Sequence, residues 1–251
     1  MSDTDHTESL IGRRLAWAVV GALLVAMLML SGDAQARYAP VDVDARGTLQ
    51  QRLFRDMLMS GIYAYRRGDY ATAAMVLRPL SDAGIPDAQF HLALLHDRGT
   101  GVVQHVGEAV RLYTRAATQG HHGAQYNLGV AYAKGEGVPR DIHKAVDWWR
   151  RAALQGNRDA QFNLGVVYIR GGDIPRDARE AVHWWRMAAL QGDPAAQYNL
   201  GAIYVRGDGV EPDISEAARW WRKSAAQGYR QAVAALRALM AVLSGTHQVQ
   251  R

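Results

Sequence analysis

The sequence contains no cysteine. A disulfide framework, a zinc–thiolate centre and a cysteine nucleophile are therefore excluded. Groupings that carry chemistry are equally scarce. There is no Ser-x-x-Lys motif or paired carboxylate, and no nucleophile, base and orienting group in a familiar arrangement. Nine histidines form no ligand set: His121 and His122 are adjacent, and His91 and His96 are five apart. Zinc-binding spacing on a helix would be i, i+4. No metal, no cofactor and no catalytic residue are expected, so the chain reads as something other than an enzyme. Beyond Leu15–Leu30 no second apolar run of spanning length occurs.

That first run belongs to an N-terminal segment with three recognisable parts. Arg13-Arg14 precedes the 16 mainly apolar residues Leu15–Leu30, and Ala34-Gln35-Ala36 follows. Basic start, apolar stretch and small-x-small site make a secretory signal peptide over residues 1–36, cut after Ala36. The alternative is an uncleaved inner-membrane anchor, for which 16 residues fall short of the ~20 that span a bilayer comfortably. The arginine pair also suits a twin-arginine signal, although ordinary signals begin with basic residues too. Without residues 1–36 the chain has 27 basic and 20 acidic residues, net +7. Such a balance suits an acidic or anionic partner. Interspersed acids and the export signal argue against nucleic acid.

The strongest signal is internal repetition. Ala124–Gly129 reads AQYNLG; AQFNLG begins at Ala160, AQYNLG at Ala196 and a worn AQFHLA at Ala88, each step being 36 residues. A fixed period of this size marks stacked structural repeats, and it favours one extended domain. Within residues 124–159, Ala124, Leu128, Gly129 and Tyr132 share one side of a first helix. Gly129, Gly165 and Gly201 inside that helix imply close approach of the partner-helix backbone. Gly135–Pro139 turns the chain back. Asp141 caps a second helix, and Asp177 with Glu180 and Asp213 with Glu216 have capping-box spacing. Ala145, Trp149, Ala152 and Ala153 form its buried side. Gln155-Gly156 ends it in a left-handed C-cap, as at Gly120, Gly192 and Gly228. The next first helix restarts after Asp159, or after Asp193 with Pro194. Glu108, Glu180 and Glu216 complement the second helices' N-terminal dipoles.

The pattern A-x-x-x-L-G-x-x-Y, then G-x-G-V, then D-x-x-[KE]-A-[VA]-x-W-W-R-x-[AS]-A-x-x-G resembles the Sel1-like repeat, a subclass of the tetratricopeptide superfamily. It covers residues 88–231 in four copies. Residues 52–87 resemble one shorter tetratricopeptide-like unit, and residues 37–51 read as a linker. Residues 232–251 resemble a capping first helix and tail, in which Arg237 and Met240 replace the glycine and tyrosine. The resemblance implies an all-α fold, a right-handed α-solenoid of stacked antiparallel helix pairs. Some relatives tie each repeat with a disulfide; here stability would come from apolar stacking alone. Two copies depart from the pattern. Gly171-Gly172-Asp173-Ile174 replaces Gly-x-Gly-Val, which reshapes that loop. His105, Leu112 and Tyr113 replace the capping Asp and the Trp pair in copy one, whose second helix is then the least well fixed.

Six of the seven tryptophans form the pairs Trp148-Trp149, Trp184-Trp185 and Trp220-Trp221. Successive helix positions differ by ~100°, so Trp148, Trp184 and Trp220 point sideways, into the next repeat or partly outward. The resemblance also implies a concave face lined by first helices. Its inward residues would be Tyr126, Val130, Ala133 and Lys134, with counterparts Phe90, Leu94, Asp97 and Arg98; Phe162, Val166, Ile169 and Arg170; and Tyr198, Ala202, Val205 and Arg206. An aromatic floor beside four cations, Arg98, Lys134, Arg170 and Arg206, suits an acidic peptide or protein segment. Asn127, Asn163 and Asn199 read either as clamps for such a peptide or as hydrogen bonds within or between hairpins. Gln125, Gln161 and Gln197 read as exposed. These features describe an exported, periplasmic or secreted bacterial scaffold that binds a protein or peptide partner. The alternative is a cell-wall-acting or β-lactam-binding enzyme of the same repeat type.

Overall fold

The computed structural model describes the backbone of residues 43–249 and the side chains of residues 50–242. The signal-peptide reading of residues 1–36 lies outside them. Among the described residues there are eleven helices and no strand. They are α1 (Val43–Arg66), α2 (Tyr70–Asp82), α3 (Pro86–Arg98), α4 (Val106–Thr118), α5 (His122–Lys134), α6 (Ile142–Leu154), α7 (Arg158–Arg170), α8 (Ala178–Leu190), α9 (Pro194–Arg206), α10 (Ile214–Ala226) and α11 (Arg230–Val249). The all-α succession of paired helices is the one expected from the 36-residue step. Residues 37–51, read as a linker, are helical from Val43 onward, because no proline after Pro40 stops the helix.

Contacts divide the chain into two compact units, with the boundary between His105 and Val106, where the repeat had suggested one extended domain. The division falls inside copy one, whose sequence has Ala93 and Tyr113 where later copies have the glycine and the second tryptophan. In the first unit, Ala73, Leu77 and Leu80 of α2 are fully buried. Gly61 of α1 lets α2 approach: a Cβ there would lie 2.7 Å from Leu77 Cδ2. Copy one's second helix, α4, opens the second unit at the full 13 residues, with Leu112 and Tyr113 buried.

In the second unit the hexapeptide assigns each residue to a different neighbour. Ala124, Ala160 and Ala196 are fully buried, as are Leu128, Leu164 and Leu200. Gly129 makes room chiefly for an indole, although a Cβ there would also meet the partner-helix carbonyl of Ala145 at 3.1 Å, as the expected backbone approach requires. A Cβ at Gly129 would lie 2.5 Å from Trp149 Cδ1, and Gly165 and Gly201 meet Trp185 and Trp221 in the same way. The indole N–H reaches past the glycine to donate to a main-chain carbonyl: Trp149 to Tyr126, Trp185 to Phe162 and Trp221 to Tyr198, at 3.0–3.2 Å. A tryptophan thus packs and hydrogen-bonds at once, and only glycine leaves the space.

The glutamines are buried, contrary to the sequence reading. Gln161 is 1% exposed; its Nε2 donates to Ala153 O at 3.0 Å and its Oε1 accepts from Gln191 Nε2 at 2.7 Å. Gln125 joins Ala117 O to Gln155, and Gln197 joins Ala189 O to Gln227. The last carbonyls of a helix have no partner within it, and this amide supplies a donor where water is excluded. Stability therefore includes a recurring polar bridge and does not come from apolar stacking alone.

The caps follow the expected plan with two corrections. Asp141, Asp177 and Asp213 accept the backbone N–H of Lys144, Glu180 and Glu216. The second half of a capping box does not form, since the N–H groups of Asp177 and Asp213 donate to Tyr168 O and Tyr204 O. Glu180 accepts instead from the Trp184 indole, and Glu216 from Arg219. The first helices are capped by His121, Asn157 and Asp193. Asn157 replaces the expected Asp159, because a cap must stand three residues before the N–H it accepts, here that of Ala160 at 2.9 Å. The altered loop is reshaped as expected. Positive φ falls at Gly135 and Gly137 in copy two and at Gly207 and Gly209 in copy four, but at Gly171 and Gly172 in copy three.

Candidate functional site

The first helices α5, α7 and α9 each bury one side and turn a second stripe away from it. On α7 the buried side holds Ala160, Leu164 and Tyr168. Phe162, Val166, Ile169 and Arg170 lie opposite, at i, i+4, i+7 and i+8. The first three are half-buried and Arg170 is exposed. Tyr126, Val130, Ala133 and Lys134 repeat this on α5, and Tyr198, Ala202, Val205 and Arg206 on α9, where Val205 is 40% exposed. Tyr126, Val130, Ala133, Phe162, Val166 and Ile169 also pack against the hydrophobic core, so each stripe offers a partner only its half-exposed edge.

Neighbouring stripes are linked. The Tyr126 hydroxyl faces the Asn163 side chain on the next first helix. Burial pushes the Tyr126 pKa above the ordinary phenol value, the Asp159 charge adds to this, and the Asn163 side chain opposes it.

The four cations expected on this face are not equivalent. Arg98 and Phe90 belong to the first unit, where Arg98 Nη1 donates to the Tyr65 hydroxyl at 3.1 Å and Phe90 stands edge-on to His91. In the second unit Lys134 pairs with Glu136 at 3.5 Å and Arg206 with Asp208 at 2.9 Å. Asp208 also meets Arg176 at 3.5 Å, and the hydrogen bond from Arg206, ahead of the two arginine charges, holds its carboxyl below the usual range. Copy three has Gly172 where Glu136 and Asp208 stand, and its loop acid, Asp173, pairs with Arg140 at 2.9 Å. Arg170 has no acidic partner among the described residues. The row of four positive charges thus reduces to one unneutralised cation in the second unit. Comparing position 172 across the copies would have found this in the sequence.

The sideways tryptophans are closed rather than laddered. Trp184 and Trp220 are buried, and Trp148 is half-buried under the Arg151 guanidinium. Lys223 covers Trp220 at 4.5 Å. Among the described residues no group of three or more His, Asp or Glu could hold a metal ion.

Comparison with protein-family models matches the Sel1 repeat at residues 86–121, 122–157, 158–193 and 194–229. The chain belongs to the Sel1-repeat family. Solved structures agree. A Sel1 repeat protein from Oxalobacter formigenes is 37% identical, with a TM-score of 0.64, over 67% of this chain and 49% of that one. A protective antigen present in uropathogenic Escherichia coli strains, displaying an SLR fold, is 32% identical, with a TM-score of 0.71, over 76% of this chain and 42% of its own. This Sel1-repeat chain therefore spans less than half the length of these relatives. Comparison with curated proteins returned no match. Sel1 repeats generally mediate protein–protein interaction, and the family is typically a non-catalytic scaffold.

Proposed function

We propose that this Sel1-repeat protein is an exported, non-enzymatic scaffold of the bacterial cell envelope that holds an acidic peptide or protein segment against the α5–α7–α9 face. The observation that carries this reading is the half-buried apolar stripe on three successive first helices, which leaves part of each side chain open to a partner. Export is supported by the arginine pair, apolar run and Ala34-Gln35-Ala36 site. No described helix is long and apolar enough to cross a membrane. An attached form would use Leu15–Leu30 uncleaved. That one relative is a protective antigen fits a protein placed where a host meets it.

The test compares the protein with a Lys134→Glu, Arg170→Glu double variant in affinity capture from an envelope extract. A defined protein retained by the first and lost by the second is expected. If both retain every captured protein, the face is not the binding surface. An N-terminus at Arg37 in the periplasmic fraction is expected for processed protein; an intact Met1 would favour the anchored form. Turnover of muropeptides or a β-lactam by pure protein would overturn the non-enzymatic reading.

A further inference from the structure

The second helices α4, α6, α8 and α10 end at one repeat position, and there the copies differ. Their last residues are Thr118, Leu154, Leu190 and Ala226, all exposed. Leu154 and Leu190 are each 71% exposed. Helix formation does not require them, since Ala226 holds the same position and alanine is the better helix former. Nor do they close the caps, which the backbone N–H groups of Gln155 and Gln191 make. Both are nonetheless held in place. The buried Gln161 amide ties the two helix ends together: Ala153, beside Leu154, accepts from it at 3.0 Å, and Gln191, beside Leu190, donates to it at 2.7 Å. The two leucines therefore share one rim of the second unit.

We infer that this rim is where two molecules of this chain pair about a two-fold axis, Leu154 of one against Leu190 of the other. Such pairing requires a surface that complements itself. The row Thr118, Leu154, Leu190, Ala226 reads small, large, large, small from either end. Reversed on itself, it sets leucine on leucine in the middle and small residues on small residues at the flanks. The charges tolerate the same reversal. Arg151 exchanges with Met187, Arg158 with Pro194 and Asp159 with Ala195, so each charge meets a neutral side chain. Asp193 exchanges with Asn157 and is already spent on the Ala196 N–H. Between residues 150–159 and 186–195 the one like pair is Arg150 with Arg186. Both turn back onto the following first helix, to the Tyr168 hydroxyl at 2.6 Å and the Tyr204 hydroxyl at 2.7 Å. An anionic lipid surface fits the rim less well, because Asp159 stands exposed on it. Two leucines a side make a small interface, so the association is of the weak, transient class. Paired molecules carry two α5–α7–α9 faces and hold a two-site partner by avidity. The row lies on the second helices, so its failure would leave the first-helix scaffold reading intact.

The chain has no cysteine, so introduced thiols report the pairing without background. Two differently tagged whole-chain variants, Leu154→Cys and Leu190→Cys, are oxidised separately and mixed. A disulfide needs Cβ atoms about 4 Å apart, so the mixture should yield about fivefold more linked dimer than either variant alone. Sedimentation velocity of the unaltered sequence from about 10 to 300 µM should show a monomer–dimer equilibrium. Leu154→Gln and Leu190→Gln should each weaken it about tenfold. Met75→Gln removes an exposed apolar side chain of the first unit and should change it less than about twofold. Equal cross-linking of the mixture and the single variants would overturn the two-fold pairing. So would a monomer at every concentration, or a dimer indifferent to both glutamine substitutions. Phosphatidylglycerol vesicles that retain the protein, and release it when both leucines are replaced, would give the row to a lipid surface and overturn the pairing as well.

Discussion

Gln161 is buried because two helix ends need its amide: Ala153 O receives its N–H and Gln191 Nε2 gives to its oxygen. Gln161→Leu keeps the bulk and removes both bonds, so urea denaturation should show a loss of about 1–3 kcal/mol. Gln161→Glu should be worse near neutral pH, since a carboxylate then faces the Ala153 carbonyl, and should recover on acidification. A variant as stable as the parent would mean that the bridge is incidental. The apolar members of the hexapeptide, Ala124 and Leu128, were legible because helical spacing alone places them on one side with Tyr132. The glutamine was missed because polarity suggested exposure. The available signal was its unbroken return at Gln89, Gln125, Gln161 and Gln197 beside an aromatic that varies. His91 supplies a second test. Burial, ahead of the opposing Asp87 contributions, lowers its pKa from 6.5, and it packs edge-on against Tyr65. A folded-state pKa below the unfolded one means that the unfolded chain binds the proton first. The His91 contribution is then complete above pH 6.5 and falls as acid carries the chain below it. Thermal melts should lose stability between about pH 7.5 and 5.5. His91→Gln should flatten that slope, and an unchanged slope would assign it elsewhere.

At the scale of elements, the thirteen-residue helices α6 to α10 recur because the same punctuation recurs, an aspartate or asparagine before each helix and a positive-φ glycine after it. Sequence placed the caps of α6, α8, α9 and α10 correctly and mistook that of α7. Asp159 is acidic and close to the start, but it lies inside the first turn, where its carboxylate cannot reach back to the orphan N–H groups. Asn157 accepts from Ala160 at 2.9 Å and also neighbours His122 at 3.5 Å. Asn157→Ala should therefore cost about 1 kcal/mol in chemical denaturation. Asp159→Ala should stay within about 0.5 kcal/mol. The reverse order would return the cap to Asp159. The outward stripe was legible to the same degree as the helices, since Tyr126, Phe162 and Tyr198 share one register. The pairing of its cations was not legible from that register. It depends on whether the loop acid stands at the second loop position, as Glu136 and Asp208 do, or at the third, as Asp173 does, which shows only when the loops of the copies are aligned position by position.

At the scale of the molecule, the helix pairs of the second unit complete their core with their sequence neighbours, as the Trp185, Leu164 and Leu200 cluster does. Stability is then a sum of repeat and nearest-neighbour terms, so damage should remain local. Gly201→Ala is a suitable injury. Its Cβ would collide with the Trp221 indole, whose N–H bonds Tyr198 O at 3.0 Å. Overpacking of this kind costs about 1–3 kcal/mol. Hydrogen exchange should show protection falling first in α9, α10 and α11, while the amides of α2 and α3 keep their parent rates. Binding to the α7 stripe should decline only where the injury reaches α8, because the peptide face and the cores behind it share the same helices. Uniform loss of protection from α2 to α11 would show one all-or-none transition instead, and a substitution anywhere in the chain would then act on the binding face as strongly as one beside it.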